Sequence, residues 1–451
     1  MTRRAENKMG TMPIKKLIIT MSLPMMISML VQALYNVVDS MYVARISENA
    51  LTAVSLAFPL QNIMIAIGSG SGVGMNAFLS RSLGSKNYED ADQAAATGIL
   101  LSLVHYAISA VFLLSFAGVF MRSQTSVAEI YDAGTTYLRI CGVLCIGLYF
   151  QMLFERLLQA TGRTLHSMIC QATGAIINII FDPLLIFGIG PFPQLGVAGA
   201  AIATIFGQIT AAAIGLFLNL KYNKDITLQL ARVFRPKANI IRAVYAVGIP
   251  STLMMSIGSV MTYLLNQILL TFSTTATAVF GVYFKLQSFF FMPVLGLNNG
   301  MVPIVAYNYG MRSKASIMEA LKFAATLAIV FMCIGTLAFE LFPEQLLGMF
   351  NASEEMLRIG VKAMRIIAVH FPIAGGCIIL GSTFQAFGKG VYSLITSVTR
   401  QLVVLIPAAW LLAKTGNIDN VWLAFLIAEG ASLLISLVMF SKIKREMIDT
   451  L

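Results

Sequence analysis

Long runs of apolar residues, separated by short polar segments, recur along the whole chain. Each run has about 20 residues or more, which lets a helix cross about 30 Å of hydrocarbon. Membrane-crossing β-strands are shorter and alternate in polarity, so the runs predict a helical bundle. The predicted helices lie within twelve windows: 14–44, 51–78, 93–121, 134–160, 164–188, 196–220, 240–270, 276–305, 318–342, 357–384, 390–413 and 419–441.

The chain also repeats itself at an offset of 226 residues. One gapless offset that holds across five helices indicates a duplicated unit. Each copy holds six helices, so both copies begin on the same side of the membrane and are related by an axis along the membrane normal. The aligned positions are Gly70 with Gly296, Gly74 with Gly300, Gly84 with Gly310, Lys86 with Arg312, and QATGR at 159–163 with QAFGK at 385–389.

The sequence therefore predicts an all-α integral membrane protein with twelve transmembrane helices in two six-helix lobes, related by a pseudo-two-fold axis. We expect an N-lobe at residues 1–220, a connector at 221–239 and a C-lobe at 240–451. Two such lobes leave a central cleft, the usual geometry for alternating access. The paired glycines predict either close helix packing or local flexibility, and the sequence leaves both open.

Composition and charge agree with this class. Hydrophobic residues make up 58% of the chain, charged residues only 11%, and the mean hydropathy is +0.81. The net charge of +11 does not indicate nucleic acid, because 21 Lys and Arg residues lie at the termini and after even-numbered windows, against seven in the other loops. By the positive-inside rule both termini and the connector are cytoplasmic. The five cysteines fall within helices, which argues against a disulfide framework.

Four acids lie inside the predicted helices: Asp39, Glu155, Asp182 and Glu429. An acid at the bilayer centre costs about 2.5–3.5 kcal/mol, so each is expected to face a wet cavity or a partner. Helical spacing adds polar neighbours on the same faces. These faces comprise Gln32, Asn36 and Asp39 on the first helix, Asn178 and Asp182 on the fifth, and Thr204 and Gln208 on the sixth.

Structural roles compete with a cation site for these acids. Asp182 precedes Pro183, which removes a backbone donor, so the carboxylate either joins an ion or proton site or braces a kinked helix. For Asp39 the alternative is an interfacial ion pair with Arg45, and for Glu155 it is an ion pair with Arg156. Glu429 has a structural alternative too.

The second copy lacks the acids of the first. Asp39 aligns with Leu265, and Asp182 aligns with a stretch that has no acid, VVLIPAAW. The seventh helix has a neutral polar stripe instead, formed by Ser259, Tyr263 and Asn266. Two bases also lie within helices of this copy, Lys285 and Arg400, and each is either a structural counter-ion or a functional group. The predicted substrate-cavity residues are Gln32, Asn36, Glu155, Gln208, Tyr263, Asn266 and Lys285.

Several segments resemble the multidrug and toxic compound extrusion (MATE) family, and most closely its bacterial multidrug branch related to DinF-type transporters. They are SLPMMISMLVQALYNVVDSMYVAR (22–45), FERLLQATG (154–162), NIIFDPLLIFG (178–188) and LGVAGAAIATIFGQ (195–208). The resemblance covers essentially the whole chain. It implies an antiporter in which a proton or Na+ moves inward while amphipathic, often cationic, drugs leave. Its cation site matches Asp39, Asn178 and Asp182, and we add Thr204 to the predicted coupling residues.

The sequence departs from the branch that carries acids on helices seven and ten, where Asn266, Gln267 and His370 stand. A lipid-linked saccharide flippase of the same superfamily is the alternative function. No nucleotide-binding loop or metal-ligand cluster is visible, so we expect no enzyme and no cofactor beyond the coupling ion, H+ or Na+. The expected partners are small amphipathic drugs and the lipid bilayer, without nucleic acid. We expect a monomer in the cell membrane.

Overall fold

The computed structural model describes residues 6–350 and 352–451, and within these ranges the regular structure is helical. Ten unbroken helices and two bent helix pairs are long and apolar enough to cross a membrane. We number them in chain order: α1 Ile14–Ala44, α2 Glu48–Gly84, α3 Tyr88–Gln124, α4 Ala128–Val143 with Ile146–Ala160, α5 Thr164–Phe187, α6 Val197–Tyr222, α7 Ala238–Leu270, α8 Thr274–Gly310, α9 Lys314–Leu341, α10 Glu354–Ala368 with Phe371–Ala386, α11 Gly390–Ala413 and α12 Ile418–Ile443.

Each of the twelve predicted windows overlaps one of these helices, but two of the helices are not continuous. The chain bends by 50° between the two segments of α4 and by 48° between those of α10. The breaks, at residues 144–145 and 369–370, lie within one residue of the positions that the 226-residue offset pairs. Pro372 removes a backbone donor next to the break in α10. Both segments of each pair are apolar, so the hydropathy pattern could not reveal the bend.

The paired glycines lie where the two lobes touch, which confirms close packing for them. A Cβ atom on Gly84 would stand 1.9 Å from the backbone oxygen of Tyr307 in α8, and one on Gly310 would stand 2.1 Å from that of Arg81 in α2. The two contacts are equivalent, because Arg81 and Tyr307 are themselves 226 residues apart. Only glycine allows backbones to approach this closely.

Corresponding pairs of helices also meet along the rest of the lobe interface. In α2, Gly74 packs against the backbone of Val244 in α7, and in α8, Gly300 packs against Ser22 in α1. Ser22 Oγ also donates a hydrogen bond to the backbone oxygen of Leu297, at 3.1 Å. The lobes thus meet through the N-terminal halves of α1 and α7 and the C-terminal halves of α2 and α8. We call this the closed end.

Beyond these contacts the facing helices become exposed. In α1, Met26 touches α8, but Val37, eleven residues and three turns further on, is 51% exposed on the same face. In α7, Thr252 Oγ1 donates to the backbone oxygen of Ala66 in α2 at 3.1 Å, but Tyr263, also eleven residues on, is 64% exposed. The space between the lobes away from the closed end is the cleft.

Candidate functional site

Three helices of the N-lobe bring the four predicted coupling residues together. The side chains of Asp39 on α1 and Asp182 on α5 lie within hydrogen-bonding reach of each other. One turn before Asp182, Asn178 Nδ2 donates to Thr204 Oγ1 on α6, at 3.2 Å. Asp182 is 0% exposed, and Asn178 and Thr204 are buried as well.

The oxygens of this group lack donors. Among the described residues, none hydrogen-bonds to the buried Asp39 Oδ1, to either carboxyl oxygen of Asp182 or to Asn178 Oδ1. Two carboxylates cannot donate to each other, and buried acceptors without a donor are rare because their desolvation is costly. A proton held between the carboxyls, or a cation bound by these oxygens, would remove the penalty.

The structural alternatives for the two aspartates do not hold. The guanidinium of Arg45 lies 5.9 Å from the ring centre of Tyr42 and makes no ion pair with Asp39 among the described residues. Asp182 accepts no hydrogen bond that could brace a kink, and α5 continues through Pro183. Neither carboxyl therefore has a structural partner other than the second acid.

A polar shell around the acids was missed by sequence reasoning. Tyr35 hydrogen-bonds to the Thr204 side chain and lies one turn before Asp39, so its i, i+4 spacing was a signal for it. Tyr137 OH donates to Gln61 Oε1 at 3.4 Å and also contacts the Cys141 thiol. Gln61, Cys141, Thr204 and Gln208 line a small cavity beside the acids. Thr204 and Gln208 were predicted as a pair on α6, but no sequence spacing relates them to Gln61 on α2 or Cys141 on α4.

The two other polar residues predicted on α1 differ in their surroundings. Gln32 Oε1 accepts a hydrogen bond from Gln171 Nε2 on α5 at 2.6 Å, and Ser28 donates to the same Gln171 side chain. These two hydrogen bonds link α1 to α5 on the side of the acids. Asn36, which was predicted to share the polar face, is exposed.

Glu155 and Arg156 do not form the ion pair that was considered for them. Glu155 Oε1 instead accepts from Gln151 Nε2 at 3.0 Å, within α4. Arg156 Nη1 donates to Gln159 Oε1 at 3.0 Å and to Asn299 Oδ1 of α8 at 3.3 Å. Arg156 therefore joins the two lobes.

The acids lie behind α1 when seen from the cleft. Asp39 is thirteen residues from Met26, which places it about 140° away around the helix from the residue that touches α8. Ser28 and Val43 share the Asp39 side and are buried in the N-lobe. One helix thus carries the acid on its inner face and borders the cleft with its outer face.

The C-lobe contains a different arrangement. Arg400 Nη1 lies 3.5 Å from Glu429 Oε2, and Glu429 is 3% exposed, so Arg400 is its counter-ion. Arg400 lies in a π-helical segment of α11, Thr399–Val404. Tyr263 and Lys285 are exposed, and Asn266 Oδ1 is buried without a hydrogen-bond partner among the described residues.

Comparison with known proteins agrees with this architecture. The family model described as MatE matches residues 24–184 and 250–411, two segments that begin 226 residues apart. A FAD transporter of Shewanella oneidensis is 26% identical over 425 residues, which cover 92% of each chain. The multidrug export protein MepA of Staphylococcus haemolyticus is 27% identical over 412 residues, which cover 90% of this chain and 89% of that protein.

Solved structures match over the full length. The outward-facing conformation of a multidrug resistance MATE family transporter of the MOP superfamily has a TM-score of 0.92 and 25% identity, and 100% of each chain is covered. A MATE structure in the straight conformation has a TM-score of 0.92, 25% identity and the same coverage. The two-lobe arrangement of twelve helices is thus a known transporter fold.

Proposed function

This chain belongs to the MatE family, and we propose that it is a cation-coupled antiporter that exports amphipathic drugs from the cell. Members of the family are multi-pass membrane transporters and not enzymes. The relatives named multidrug export protein support drug export, and the two-lobe fold with a cleft supports alternating access.

The observation that carries the coupling proposal is the Asp39–Asp182 contact. Two carboxyls within hydrogen-bonding reach, with no donor on three of their oxygens, require a bound positive charge to be stable in an apolar lobe. A site that must take up a cation, next to a helix that borders the cleft, is the arrangement needed to exchange a cation for a drug.

We favour the proton as the coupling ion. A single proton shared between Asp39 and Asp182 removes the repulsion with one hydrogen bond and needs no further ligand. Na+ prefers several oxygen ligands, and the unpartnered Asn178 Oδ1, one turn before Asp182, and the Thr204 hydroxyl bonded to Asn178 offer two more oxygens. We therefore expect Na+ to compete with the proton for the same oxygens.

Coupling is proposed to act through α1. The inner face of α1 carries Asp39, and its outer face, with Val37, borders the cleft. A proton that draws Asp39 and Asp182 together would shift α1 relative to α5 and reshape the cleft wall. Drug and proton would then weaken each other's binding by the same factor, as linkage requires.

The basic loops give the orientation in this proposal. The closed end carries Arg81, Lys86 and Arg312, and the positive-inside rule assigns basic loops to the cytoplasm. The cleft would then open to the outside. The similar structure described as outward-facing supports this assignment.

Reconstituted protein tests the proposal. Ethidium efflux from proteoliposomes is followed under a pH gradient and, separately, under a Na+ gradient. We expect efflux under the pH gradient, and none from Asp182→Asn protein of equal yield and stability. Efflux that ignores the pH gradient and follows Na+ would reverse the choice of ion, and gradient-driven efflux by Asp182→Asn would refute the site.

The relative named a FAD transporter favours a second class of cargo, an anionic aromatic molecule. Such a molecule differs in charge from the cationic drugs that the resemblance implies. The flippase alternative requires a lipid-linked anionic saccharide instead. Transport of a fluorescent lipid-linked saccharide across proteoliposomes, absent from protein-free vesicles, would support that alternative.

A further inference from the structure

The two walls of the cleft differ in charge. Tyr263 and Lys285 of the C-lobe align, at the 226-residue offset, with Val37 and Pro59 of the N-lobe. All four are exposed on the helices that form the lobe interface. Duplication has thus left equivalent positions with a base and a phenol on one wall and with apolar side chains on the other.

Helical geometry places Lys285 on the cleft side of α8. It lies eleven residues, or three turns, before Gly296, whose added Cβ would stand 2.5 Å from Met26 in α1. Tyr283, on the opposite side of α8, and Leu286, about 100° around the helix from Lys285, are buried in the C-lobe core. Lys285 is also eleven residues from the start of α8, about 16 Å along the helix. Its ammonium group therefore projects into the cleft at depth.

Tyr263 lies on the same wall. It is three turns beyond Thr252, which touches α2, and Leu265 on the other side of α7 is fully buried. A phenol that is 64% exposed at this position offers a flat surface for an aromatic ring. The C-lobe wall thus presents a base and an aromatic side chain together.

The opposite wall is apolar. Val37 is joined there by Met41, which is 54% exposed one turn later on α1. Ile63, seven residues before Gly70, lies on the face of α2 that meets α7, and it is 45% exposed. A ligand between the walls would meet apolar surface on its N-lobe side.

The charge of Lys285 is not neutralised within the protein. No carboxylate of the described residues lies within 4.0 Å of its ammonium group. Asp39 and Asp182 lie behind α1, and Glu155 accepts a hydrogen bond within α4. The other base at the lobe interface, Arg156, is already hydrogen-bonded to Gln159 and Asn299. Lys285 is therefore the cationic group available to a ligand in the cleft.

We propose that the cleft, besides cationic aromatic drugs, also accepts amphipathic aromatic compounds that carry a carboxylate or phosphate. Lys285 pairs with the acidic group, Tyr263 stacks on the ring, and the apolar N-lobe wall covers the rest of the molecule. This inference rests on the proposed export function, since it names the cargo of that cleft. It assigns selectivity to the C-lobe and cation coupling to the N-lobe.

Two xanthene dyes of similar shape and opposite charge test the inference. Binding of fluorescein, an anion, and of rhodamine 123, a cation, is measured by fluorescence polarisation with purified protein. Loss of one charged pair in a partly wet cleft corresponds to about a tenfold weaker binding. We expect Lys285→Gln to weaken fluorescein by about this factor and to leave rhodamine 123 unchanged or slightly tighter.

Matched variants make the result specific. Lys285→Arg keeps the charge and should bind fluorescein within about twofold of the unmodified protein. Lys322→Gln removes an exposed lysine from α9, near the closed end, and should change neither dye. Fluorescein that fails to bind the unmodified protein, or equal weakening of both dyes by Lys285→Gln, would overturn the proposal.

The test separates this inference from the proposed function. Dye binding is measured without a gradient, so it reports on the cleft even when Asp182→Asn has abolished efflux. Absence of gradient-driven efflux by unmodified protein, together with the expected charge selectivity, would refute antiport and keep the assignment of Lys285. Normal efflux without charge selectivity would support antiport and overturn the assignment of Lys285.

Discussion

The closed end can be opened by one methyl group. Gly84→Ala would place a Cβ atom 1.9 Å from the backbone oxygen of Tyr307, whereas ordinary contacts of this kind lie at 3.4–4 Å. The clash is with backbone, so no side-chain rotation relieves it, and α2 and α8 must move apart by roughly 1.5 Å. Overpacking of this type costs about 1–3 kcal/mol.

A conformation in which the lobes separate at this end would avoid the clash. The variant should therefore favour that conformation by about 5- to 150-fold, the population change that corresponds to 1–3 kcal/mol. Ser22 reports on it, because it is 2% exposed and packs against Gly300 at the lobe interface. Maleimide labelling of Ser22→Cys should be slow, and Gly84→Ala should accelerate it within that range.

The labelling background and control come from the same chain. Cys333 is the exposed cysteine and is replaced by Ser, while the other four cysteines are buried. Gly430→Ala is the matched control, since an added Cβ there meets no atom within 4 Å. Unchanged labelling in a folded Gly84→Ala protein would refute the claim that these glycines hold the closed end together.

Three further outcomes are expected. Arg400→Ala leaves the buried Glu429 carboxylate without its counter-ion and should destabilise the protein by about 3 kcal/mol, seen as a lower Tm in detergent. The double variant that adds Glu429→Gln should recover stability. An unchanged Tm for Arg400→Ala would contradict the ion pair. The carboxylates of Glu89 and Asp90, at the start of α3, raise the pKa of Lys237 above its ordinary value of 10.5. The stabilisation from this ion pair is therefore fully present at neutral pH and is lost only as the pH rises through the raised pKa. Because the pair is solvent-exposed, Lys237→Ala should lower the Tm only slightly, and a large loss at pH 7 would show a different role. A single cysteine at Asn239 should react with a membrane-impermeant reagent only in permeabilised cells, and labelling of intact cells would reverse the orientation.

Much of the fold could be predicted, and so could which polar residues form the candidate site. Apolar runs give the helices, and the 226-residue offset gives the two lobes. Asp39, Asn178, Asp182 and Thr204 stood out because a buried acid is costly and its polar neighbours recur one turn away on a helix. The expectation that they bind a cation came from the resemblance to the MATE family.

Other features depend on contacts that spacing does not encode. The bends in α4 and α10 interrupt windows that are apolar on both sides, so hydropathy does not register them. The pairing of Arg400 with Glu429 joins α11 to α12 and was left open. Asn36 has the right spacing for the polar face, but the neighbouring helices do not cover it.

Proton release on drug binding tests the central claim most directly. Purified protein in weakly buffered solution, loaded with protons at mildly acidic pH, is mixed with ethidium while the pH of the solution is recorded. If the drug and the proton held by Asp39 and Asp182 weaken each other's binding, unmodified protein should release protons in proportion to the drug bound, and Asp182→Asn should bind drug without releasing any. Equal release by both proteins, or drug binding to unmodified protein without release, would contradict the account.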